Sequence, residues 1–326
     1  MCRKDRSAAM AFCGKRRYVT LNPSQPIECK MTQVIATLAE VSARYDAVFC
    51  DLWGCLHNGV APFPAAVAAL QAYRAQGGRV ILLTNAPRPK SSVIAQLDKM
   101  GVPRDAWDDV VTSGDAAQYA MLTGAVGRKV YFIGADKDEP FFTDFADDLA
   151  AIAAANPVIE RVALTQAQGI VCTGLADDLT ETLETYHATL LAAKTLGLPM
   201  LCANPDLTVH WGDQLLYCAG ALAQSYEAMG GTALYFGKPH PPIYDLARRR
   251  LALLGGPSDP QILCIGDGIN TDVQGASGEG LDALFITGGL AVDHFGPDPQ
   301  APDLALLQAW LDKAQLSPSY SIGKLR

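Results

Sequence analysis

The sequence predicts an α/β fold, in which a largely parallel β-sheet has helices packed on both of its faces. Short, almost continuously apolar runs alternate along the chain with longer segments whose apolar residues recur at helical spacing. Strands of a parallel sheet are covered on both faces, so they are apolar throughout. Most of the helical segments close on a Gly, as helix C-termini commonly do. The chain has 326 residues, enough for about two domains of ordinary size.

The individual elements follow from these runs. The predicted strands, in chain order, are DAVFCDLW, RVILLTNA, DVVTSG, KVYFIGA, GIVCTG, PMLCANPD, ALYFGKP, QILCIGDG and DALFITGG. The predicted helices are PAAVAALQAYRAQGG, KSSVIAQLDKMG, LTETLETYHATLLAAKTLG and PPIYDLARRRLALLGG. Strands that alternate with helices in this way are typical of parallel sheets built from strand–helix–strand units.

The composition excludes several classes of protein. Hydrophobic residues make up 49% of the chain and charged residues 18%, which excludes a globally disordered protein. No apolar run approaches the roughly 18 residues that span a bilayer, so no membrane partner is expected. The nine cysteines show neither CxxC pairs nor metal-ligand spacing. That usage favours reduced core thiols in a cytoplasmic protein.

The charge is unevenly distributed. The net charge is −8, yet the first 30 residues hold seven Lys or Arg against two acids, which leaves −13 for the rest. An acidic body argues against a nucleic-acid partner, because phosphate binding needs a basic surface. The basic start, residues 1–31, lacks the features of a secretory signal, although its composition has some likeness to a transit peptide. We expect a disordered extension. An over-long translation start is the alternative, since Met31 stands just before the first patterned segment.

Polar residues stand where the apolar runs end. They are Asp51, Thr84 with Asn85, Thr112 to Gly114, Gly237 with Lys238, and Gly266 with Asp267. In an open parallel sheet these ends lie at one edge, where ligands bind. Polar residues also form turns after strands. That explanation does not account for two carboxylates, a Lys and a Thr-Asn pair in the same places.

These residue types suit phosphoryl transfer. A carboxylate such as Asp51 can attack phosphorus to give an aspartyl-phosphate, which water later hydrolyses. Because two anions repel each other, a Mg²⁺ ion is expected between them, with Asp51 and Asp267 as oxygen ligands. Asp272 can orient a bound water or Lys238.

Other residues supply donors for the phosphoryl oxygens. Lys238 offers a point charge, and the Thr84 hydroxyl and the Asn85 amide are hydrogen-bond donors for the same group. Gly54, three residues after Asp51, lets the backbone turn close to the phosphate.

Four segments together resemble the motifs of the haloacid dehalogenase superfamily. They occur in the family's order, and they are FCDLWGCLHNG, LLTNA, FGKPHP and CIGDGINTDVQGA. The segment between the second and third resembles the class IIA cap. Its stretch beginning ANPDLTVHWGDQ is similar to the sugar-phosphatase, phosphoglycolate-phosphatase and 4-nitrophenylphosphatase branch. The resemblance covers about residues 44–290, and each motif alone would be weak.

The resemblance implies a domain organisation. A Rossmann-like three-layer core is expected from residues 32–127 and 234–316. An α/β cap of class IIA type is expected as an insertion at 128–233, and residues 317–326 are expected to be a C-terminal tail. Caps of this class often mediate dimers, so a homodimer is an expectation by analogy.

The resemblance also implies roles for individual residues. Asp51 would be the nucleophile and a metal ligand, and the backbone carbonyl of Trp53 another ligand. Asp272 would assist from outside the metal's own ligand set. The remaining roles are metal binding by Asp267, phosphate binding by Thr84 and Asn85, and charge stabilisation by Lys238. In the expected cap, Asn204, Asp206 and His210, with Trp211, could contact the rest of a small phosphorylated metabolite or could only build the cap loop.

One position departs from the family pattern. Phosphatases of the family carry a second Asp two residues after the nucleophile, as general acid and later base, and this chain has Trp53 there. The indole N–H donates a hydrogen bond but does not exchange a proton near neutral pH. A general acid or base contributes about 10²–10⁴-fold to rate, so its loss matters.

Several interpretations of Trp53 stay open. Another group, with His57 the nearest titratable candidate, could act as the acid. The substrate could have a leaving group that needs little help. The protein could instead be a phosphoryl-ligand-binding or regulatory protein with weak activity, or a C–X hydrolase, since dehalogenases of the superfamily also lack this Asp. Cys55, four residues from Asp51, is expected to pack rather than to react, since no base is paired with it.

Overall fold

The computed structural model describes residues 32–211 and 214–326. The predicted basic extension, residues 1–31, lies outside the described residues. The strands are β1 (Gln33–Val34), β2 (Ala47–Cys50), β3 (Arg79–Thr84), β4 (Asp109–Thr112), β5 (Lys129–Ile133), β6 (Glu160–Arg161), β7 (Gly169–Cys172), β8 (Pro199–Cys202), β9 (Thr208–Trp211), β10 (Gln214–Tyr217), β11 (Thr232–Tyr235), β12 (Ile262–Gly266), β13 (Asp282–Ile286) and β14 (Tyr320–Ile322).

Helices connect these strands. The α-helices are α1 (Ala39–Ser42), α2 (Pro64–Ala75), α3 (Lys90–Lys99), α4 (Ser113–Leu122), α5 (Pro140–Thr143), α6 (Asp147–Ala155), α7 (His187–Thr195), α8 (Ala219–Ala228), α9 (Pro241–Leu253), α10 (Gln274–Gly278) and α11 (Leu304–Ala314). A π-helical turn, Ile269–Val273, precedes α10. No described helix has both the length and the apolar character needed to cross a membrane.

The first sheet is parallel, with the strand order β1-β14-β13-β12-β2-β3-β4. Successive residues of a strand point to opposite faces, and both faces are buried here. On β2, Phe49 belongs to a buried cluster that includes residues of α4, α9 and α11, while Val48 and Cys50 belong to one that includes residues of α2 and α3. The sheet is therefore the middle of three layers.

The second sheet is also parallel, with the order β11-β8-β7-β5-β6. One face packs on α7 and α8. The other face contributes Val130, Val171 and Leu201 to the same apolar cluster that covers one side of the first sheet, with α4 between them. The two sheets thus share a hydrophobic core. Strands β9 and β10 form an antiparallel hairpin after β8.

The predicted fold class is confirmed, since parallel sheets with interleaved helices make up the structure. All nine predicted strands are present. The run ALYF, at the start of the core segment expected from residue 234 on, forms β11, which begins at Thr232 and pairs with β8 in the second sheet. The apolar run gave no sign of which sheet it would join.

The segment expected to be a C-terminal tail, residues 317–326, contains a strand. Tyr320–Ile322 forms β14, which is fully buried and pairs with β13 on one side and with β1 on the other. A three-residue strand has too few residues to show a period in the sequence. The division into core and cap stays a prediction.

A buried ion-pair network joins three helices. Arg250 of α9 is 2% exposed and donates from Nη1 to Asp115 Oδ2 of α4 at 2.5 Å. Its Nε and Nη2 donate to the two oxygens of Asp148 in α6, at 3.1 and 3.0 Å. The backbone N–H of Lys90 donates to the other oxygen of Asp115. Each Asp115 oxygen is therefore hydrogen-bonded.

Candidate active site

The carboxyl ends of adjacent strands bring the predicted residues together. Asp51 follows β2, which pairs with β3 and with β12, the strands that end at Thr84 and just before Asp267. Lys238 arrives from elsewhere, three residues after β11 of the second sheet. The site therefore draws on both sheets.

Lys238 lies at the centre of the site. Its Nζ donates to Asp51 Oδ1 and to Asp272 Oδ1, each at 2.6 Å, and its side chain is 3% exposed. Burial alone would lower the pKa of Lys238, but the carboxylates of Asp272 and Asp51 raise it well above its usual value. Lys238 is thus a fixed positive charge and not a base at neutral pH.

Asp272 is held in place by its backbone surroundings. It lies on the π-helical turn, and its Oδ2 accepts from the Gly268 N–H at 3.0 Å and from the Thr271 hydroxyl at 3.3 Å. A Cβ at Gly266 would overlap the Asp272 carboxyl group, so that position requires a glycine. π-Helical turns often occur at functional sites.

Asp267 lies close to Asp51. One ligand atom from each of Asp51, Cys55 and Asp267 lies within 4.8 Å of the others. Asp267 Oδ2 accepts from the Leu290 N–H at 2.9 Å. A Cβ at Gly54 or at Gly289 would overlap its carboxyl group. Two glycines therefore leave just enough room for this carboxylate.

The carboxylates are crowded. Burial and the charge of Asp272, opposed by Lys238, together raise the pKa of Asp51 to about 7. Burial and the charges of Asp51 and Asp272 raise the pKa of Asp267 well above its usual value. Three carboxylates thus face one ammonium group. A divalent cation with oxygen ligands would offset the excess negative charge, so this donor set fits Mg²⁺.

Cys55 is closer to this group than sequence reasoning suggested. Its side chain is buried, and burial, together with the charges of Asp267 and Asp51, raises the pKa of its thiol well above the usual value. The thiol is therefore protonated at neutral pH, in agreement with the expected packing role. A neutral thiol is a poor ligand for Mg²⁺, which prefers oxygen.

The side-chain amide of Asn85, which was expected to bind phosphate, makes its contacts within the protein, and the predicted phosphate-binding role of Asn85 stays a prediction. Its Nδ2 donates to Asp206 Oδ1 at 2.8 Å and to the Lys238 carbonyl at 3.0 Å, and its Oδ1 accepts from the Lys238 N–H at 2.7 Å. Both amide hydrogens are thus used within the protein. Asn85 fixes the backbone of Lys238, a contact across 153 residues that no local pattern reveals.

Thr84 and Trp53 occupy the edge of the site. Thr84 is partly buried, and its Oγ1 accepts from the Ala86 N–H at 3.3 Å. Trp53 is 37% exposed, and its ring lies against Gly59. The roles of the Thr84 hydroxyl in phosphate binding and of the Trp53 carbonyl in metal binding stay predictions.

His57 is a poor candidate for the missing acid. Its ring is buried, and Nδ1 accepts from the Gly59 N–H at 3.0 Å. Burial lowers the pKa of His57 to about 4. The imidazole is therefore uncharged at neutral pH and holds the loop after β2.

The predicted specificity residues follow β8. Asn204 Oδ1 accepts from the Asp206 N–H at 3.0 Å, and Asp206 in turn accepts from Asn85. Burial raises the pKa of Asp206, although Asn85 and Lys238 lower it. His210 lies on β9, opposite Leu215 in the hairpin. Asn204 and Asp206 thus connect the second sheet to the site, and the predicted substrate contacts of all three residues stay untested.

Comparison with known proteins decides the family. A family model described as haloacid dehalogenase-like hydrolase matches residues 48–146, and one described as HAD-like hydrolase matches residues 235–307. A crystal structure of a haloacid dehalogenase-like hydrolase from Brucella suis 1330 is 40% identical, with a TM-score of 0.74; the match covers 90% of this chain and all of that one. The chain belongs to the haloacid dehalogenase-like hydrolases.

More distant relatives have named activities. D-glycerol 3-phosphate phosphatase of Mycobacterium tuberculosis is 27% identical over 258 residues, which are 78% of this chain and 66% of that protein. This haloacid dehalogenase-like hydrolase therefore spans slightly less than two thirds of that relative. A crystal structure of glycerol phosphate phosphatase from the same organism, in complex with magnesium, is 25% identical with a TM-score of 0.57, covering 82% of this chain and 78% of that one.

Proposed function

We propose that this hydrolase is a Mg²⁺-dependent phosphatase that acts on a small phosphorylated metabolite through an aspartyl-phosphate on Asp51. The observation that supports it most is the contact of one buried ammonium group with two carboxylates. Lys238 Nζ lies 2.6 Å from Asp51 Oδ1 and from Asp272 Oδ1, at the edge of the first sheet where its strands end. A charge fixed in this way can stabilise the transferring phosphoryl group without reorganising during the reaction.

A divalent cation fits beside Asp51. Asp51 and Asp267 would hold it, together with the backbone carbonyl of Trp53. Asp272 would act from outside this ligand set, through its bond to Lys238. When bound, the ion would supply a Lewis acid that lets the anionic nucleophile and the anionic phosphate approach each other.

The residues divide the reaction between them. A carboxylate oxygen of Asp51 attacks phosphorus, a bond forms between them, and the bond from phosphorus to the ester oxygen breaks. The Lys238 ammonium and the Thr84 hydroxyl would donate to the phosphoryl oxygens meanwhile. Water then attacks the aspartyl-phosphate, which returns Asp51 and releases inorganic phosphate.

Neither Trp53 nor His57 is suited to protonate the departing oxygen. Trp53 carries no exchangeable proton near neutral pH, and His57, with a pKa of about 4, is uncharged. We therefore assign the enzyme to substrates whose leaving groups bear negative charge well. Aryl and acyl phosphates have such leaving groups, whereas alkyl phosphates do not.

The second sheet is proposed to be the cap of this enzyme. Residues 128–235 would form it, one strand end later than expected, because β11 ends at Tyr235. Asn204, Asp206 and His210 would contact the part of the substrate beyond the phosphate. A closed site excludes bulk water and adds specificity contacts.

Two relatives give a starting point for the substrate. They are named for glycerol phosphate. We infer a substrate of comparable size, a short phosphorylated metabolite. The enzyme would act as a monomer or a homodimer in the cytoplasm.

A phosphatase screen with and without Mg²⁺ tests the proposal. The substrates are 4-nitrophenyl phosphate, acetyl phosphate, glycerol 3-phosphate, hexose phosphates and nucleoside monophosphates, and the measurement is inorganic phosphate release. We expect turnover that EDTA removes and Mg²⁺ restores. If none of the esters is hydrolysed but one raises the midpoint of thermal unfolding, the protein is a phosphoryl-ligand-binding protein. Chloride release from 2-chloroacids would instead favour C–X hydrolysis.

A further inference from the structure

The C-terminal segment reaches the catalytic edge of the first sheet. Strand β14 is parallel to β13, so the residues after both strands emerge at the same edge. The pairing continues past the strands, because the Thr287 N–H donates to the Ile322 carbonyl at 2.9 Å and the Gly288 N–H to the Gly323 carbonyl at 2.7 Å. The next residue, Lys324, therefore lies beside the loop that follows β13.

Lys324 contacts two loops that border the site. Its Nζ donates to the carbonyl of Gly288 in the loop after β13. The same Nζ lies 5.2 Å from the ring centroid of Phe63, in the loop that runs from the Asp51 strand to α2. A cation over an aromatic face is attracted by the negative charge of that face. Lys324 thus connects the nucleophile's loop with the loop after β13.

The loop after β13 holds a candidate metal ligand. Two residues beyond Gly288, the Leu290 N–H donates to Asp267 Oδ2 at 2.9 Å. Gly289, between them, packs so closely on the Asp267 carboxyl group that a Cβ would overlap it. Gly288 is confined as well, because a Cβ there would lie 2.6 Å from the Gly323 carbonyl oxygen and 2.9 Å from Lys324 Cε. A shift of this loop would therefore move Asp267.

We propose that Lys324 is a positioning residue for Asp267. By fixing the Gly288 carbonyl, it holds the loop whose N–H orients the Asp267 carboxylate, and so it pre-forms the divalent-cation site. This inference rests on the cation site proposed above. Groups that orient metal ligands typically contribute 10–100-fold to metal affinity. Lys324 acts two steps from the ligand, so we expect the lower end of that range.

Metal binding to the full chain tests the inference. Lys324→Met keeps the apolar stem and removes the donor and the charge. We expect its affinity for Mg²⁺, measured by calorimetry, and for Mn²⁺, measured by electron paramagnetic resonance, to fall about tenfold. Lys324→Arg keeps a donor and a cation over Phe63, so it should restore most of the affinity. At saturating Mg²⁺, kcat of Lys324→Met should return to near the wild-type value.

Matched controls separate this role from a general effect on folding. Lys313→Met changes the same residue type at an exposed position of α11 and should leave metal affinity unchanged. If Lys324→Met lowers only the unfolding midpoint of the metal-free protein and keeps the affinity, Lys324 is merely structural and the inference is wrong. If Lys324→Met does not fold, Phe63→Leu tests the same connection and should weaken metal binding about threefold; unchanged affinity there would also overturn the inference. A wild type that binds neither ion would remove the proposed cation site itself.

Discussion

Two clusters in this protein contain the same set of charges, one cation and two carboxylates, and differ in their properties. Each places one cation between two carboxylates: Lys238 with Asp51 and Asp272 at the sheet edge, and Arg250 with Asp115 and Asp148 between helices. Both cations are almost fully buried, at 3% and 2% exposure. The number of charged groups and the burial of the cation therefore do not distinguish the two.

The difference lies in what surrounds the carboxylates. In the Arg250 cluster, each oxygen of Asp115 accepts a hydrogen bond, and Asp148 receives two from the guanidinium. In the Lys238 cluster a third carboxylate, Asp267, lies close to Asp51 without a cation of its own among the described residues. In the Arg250 cluster the carboxylates have their hydrogen-bond partners within the protein. The Lys238 cluster has excess negative charge at the edge of the first sheet.

This contrast indicates how a structural network and a reactive site can be told apart. A structural network satisfies its own charges, since an unpaired buried charge is costly. A reactive site keeps uncompensated charge, which a ligand or a metal ion neutralises. The pKa values of its titratable groups are shifted as a result. The pKa of Asp51, raised to about 7, is an example of such a shift. Mutations in the two clusters should therefore have opposite consequences for activity and stability.

The largest expected effect is that of Asp51→Asn on turnover. The substitution removes the proposed nucleophile and hardly changes volume, so kcat/KM should fall by about 10⁴-fold or more. Stability should not fall, because one of three crowded carboxylates is removed while Lys238 keeps its 2.6 Å contact with Asp272. The measurements are phosphate release and the thermal unfolding midpoint in metal-free buffer. Activity above about a hundredth of the wild-type value would exclude the covalent mechanism.

Arg250→Met should show the reverse. The Asp115 carboxylate would stay fully buried without its cation, which costs roughly 3–5 kcal/mol of unfolding free energy. The Asp115 carboxylate hydrogen-bonds to Arg250 and to the Lys90 N–H and to none of the proposed catalytic residues, so kcat/KM measured well below the unfolding midpoint should stay within about twofold of the wild type. Urea denaturation gives the free energy.

The pH dependence of this variant sharpens the prediction. Burial already raises the pKa of Asp115, and losing Arg250 should raise it further. The folded state then binds more protons than the unfolded state, so the stability deficit should grow from pH 5 to pH 8. Lys129→Met, in an exposed pair with Glu160, is the control and should cost less than about 1 kcal/mol. A similar, pH-independent loss in both variants would contradict the account of the Arg250 cluster.

The sequence predicted one cluster and not the other, for a physical reason. Asp51 and Asp267 each follow a strand of the first sheet, and the ends of parallel strands converge, so their approach could be inferred without coordinates. Lys238 also follows an apolar run, but that run is β11 of the second sheet, so the strand-end argument does not account for its position. Arg250 stands in an ordinary helical pattern. Its partners are 135 and 102 residues away, on two helices, α4 and α6, that the sequence pattern did not predict. Contacts between helices that are so far apart in the chain produce no periodic pattern in the sequence.

The same limit applies to contacts within the site. The bonds of the Asn85 amide to the Lys238 backbone could not be predicted, because the carbonyl and N–H of a distant backbone have no signature in the sequence. β14 was missed because three residues cannot show a period, and with it the contact of Lys324 to the loop that holds Asp267. Short strands and backbone contacts thus lie beyond pattern analysis.

The smallest expected effect, and the one that tests the departure from the family pattern, is that of Trp53→Asp. Without an acid at this position, the rate should depend steeply on the pKa of the leaving group. An aspartate there could protonate the departing oxygen and should speed alkyl phosphates about tenfold more than aryl phosphates, part of the usual 10²–10⁴-fold contribution. Trp53 is 37% exposed, so its removal should cost less than the loss of a core aromatic.

The measurement for Trp53→Asp is the slope of log kcat/KM against leaving-group pKa, for wild type and variant. Trp53→Asn is the matched control, since it has nearly the same size and no transferable proton, and it should keep the steep slope. A shallow slope in the wild type would mean that another group already protonates the leaving oxygen. His57 would be a poor choice for that group, because its pKa of about 4 leaves it uncharged. Asp206, whose pKa burial raises and which accepts a hydrogen bond from Asn85 next to Lys238, would then be the residue to substitute next.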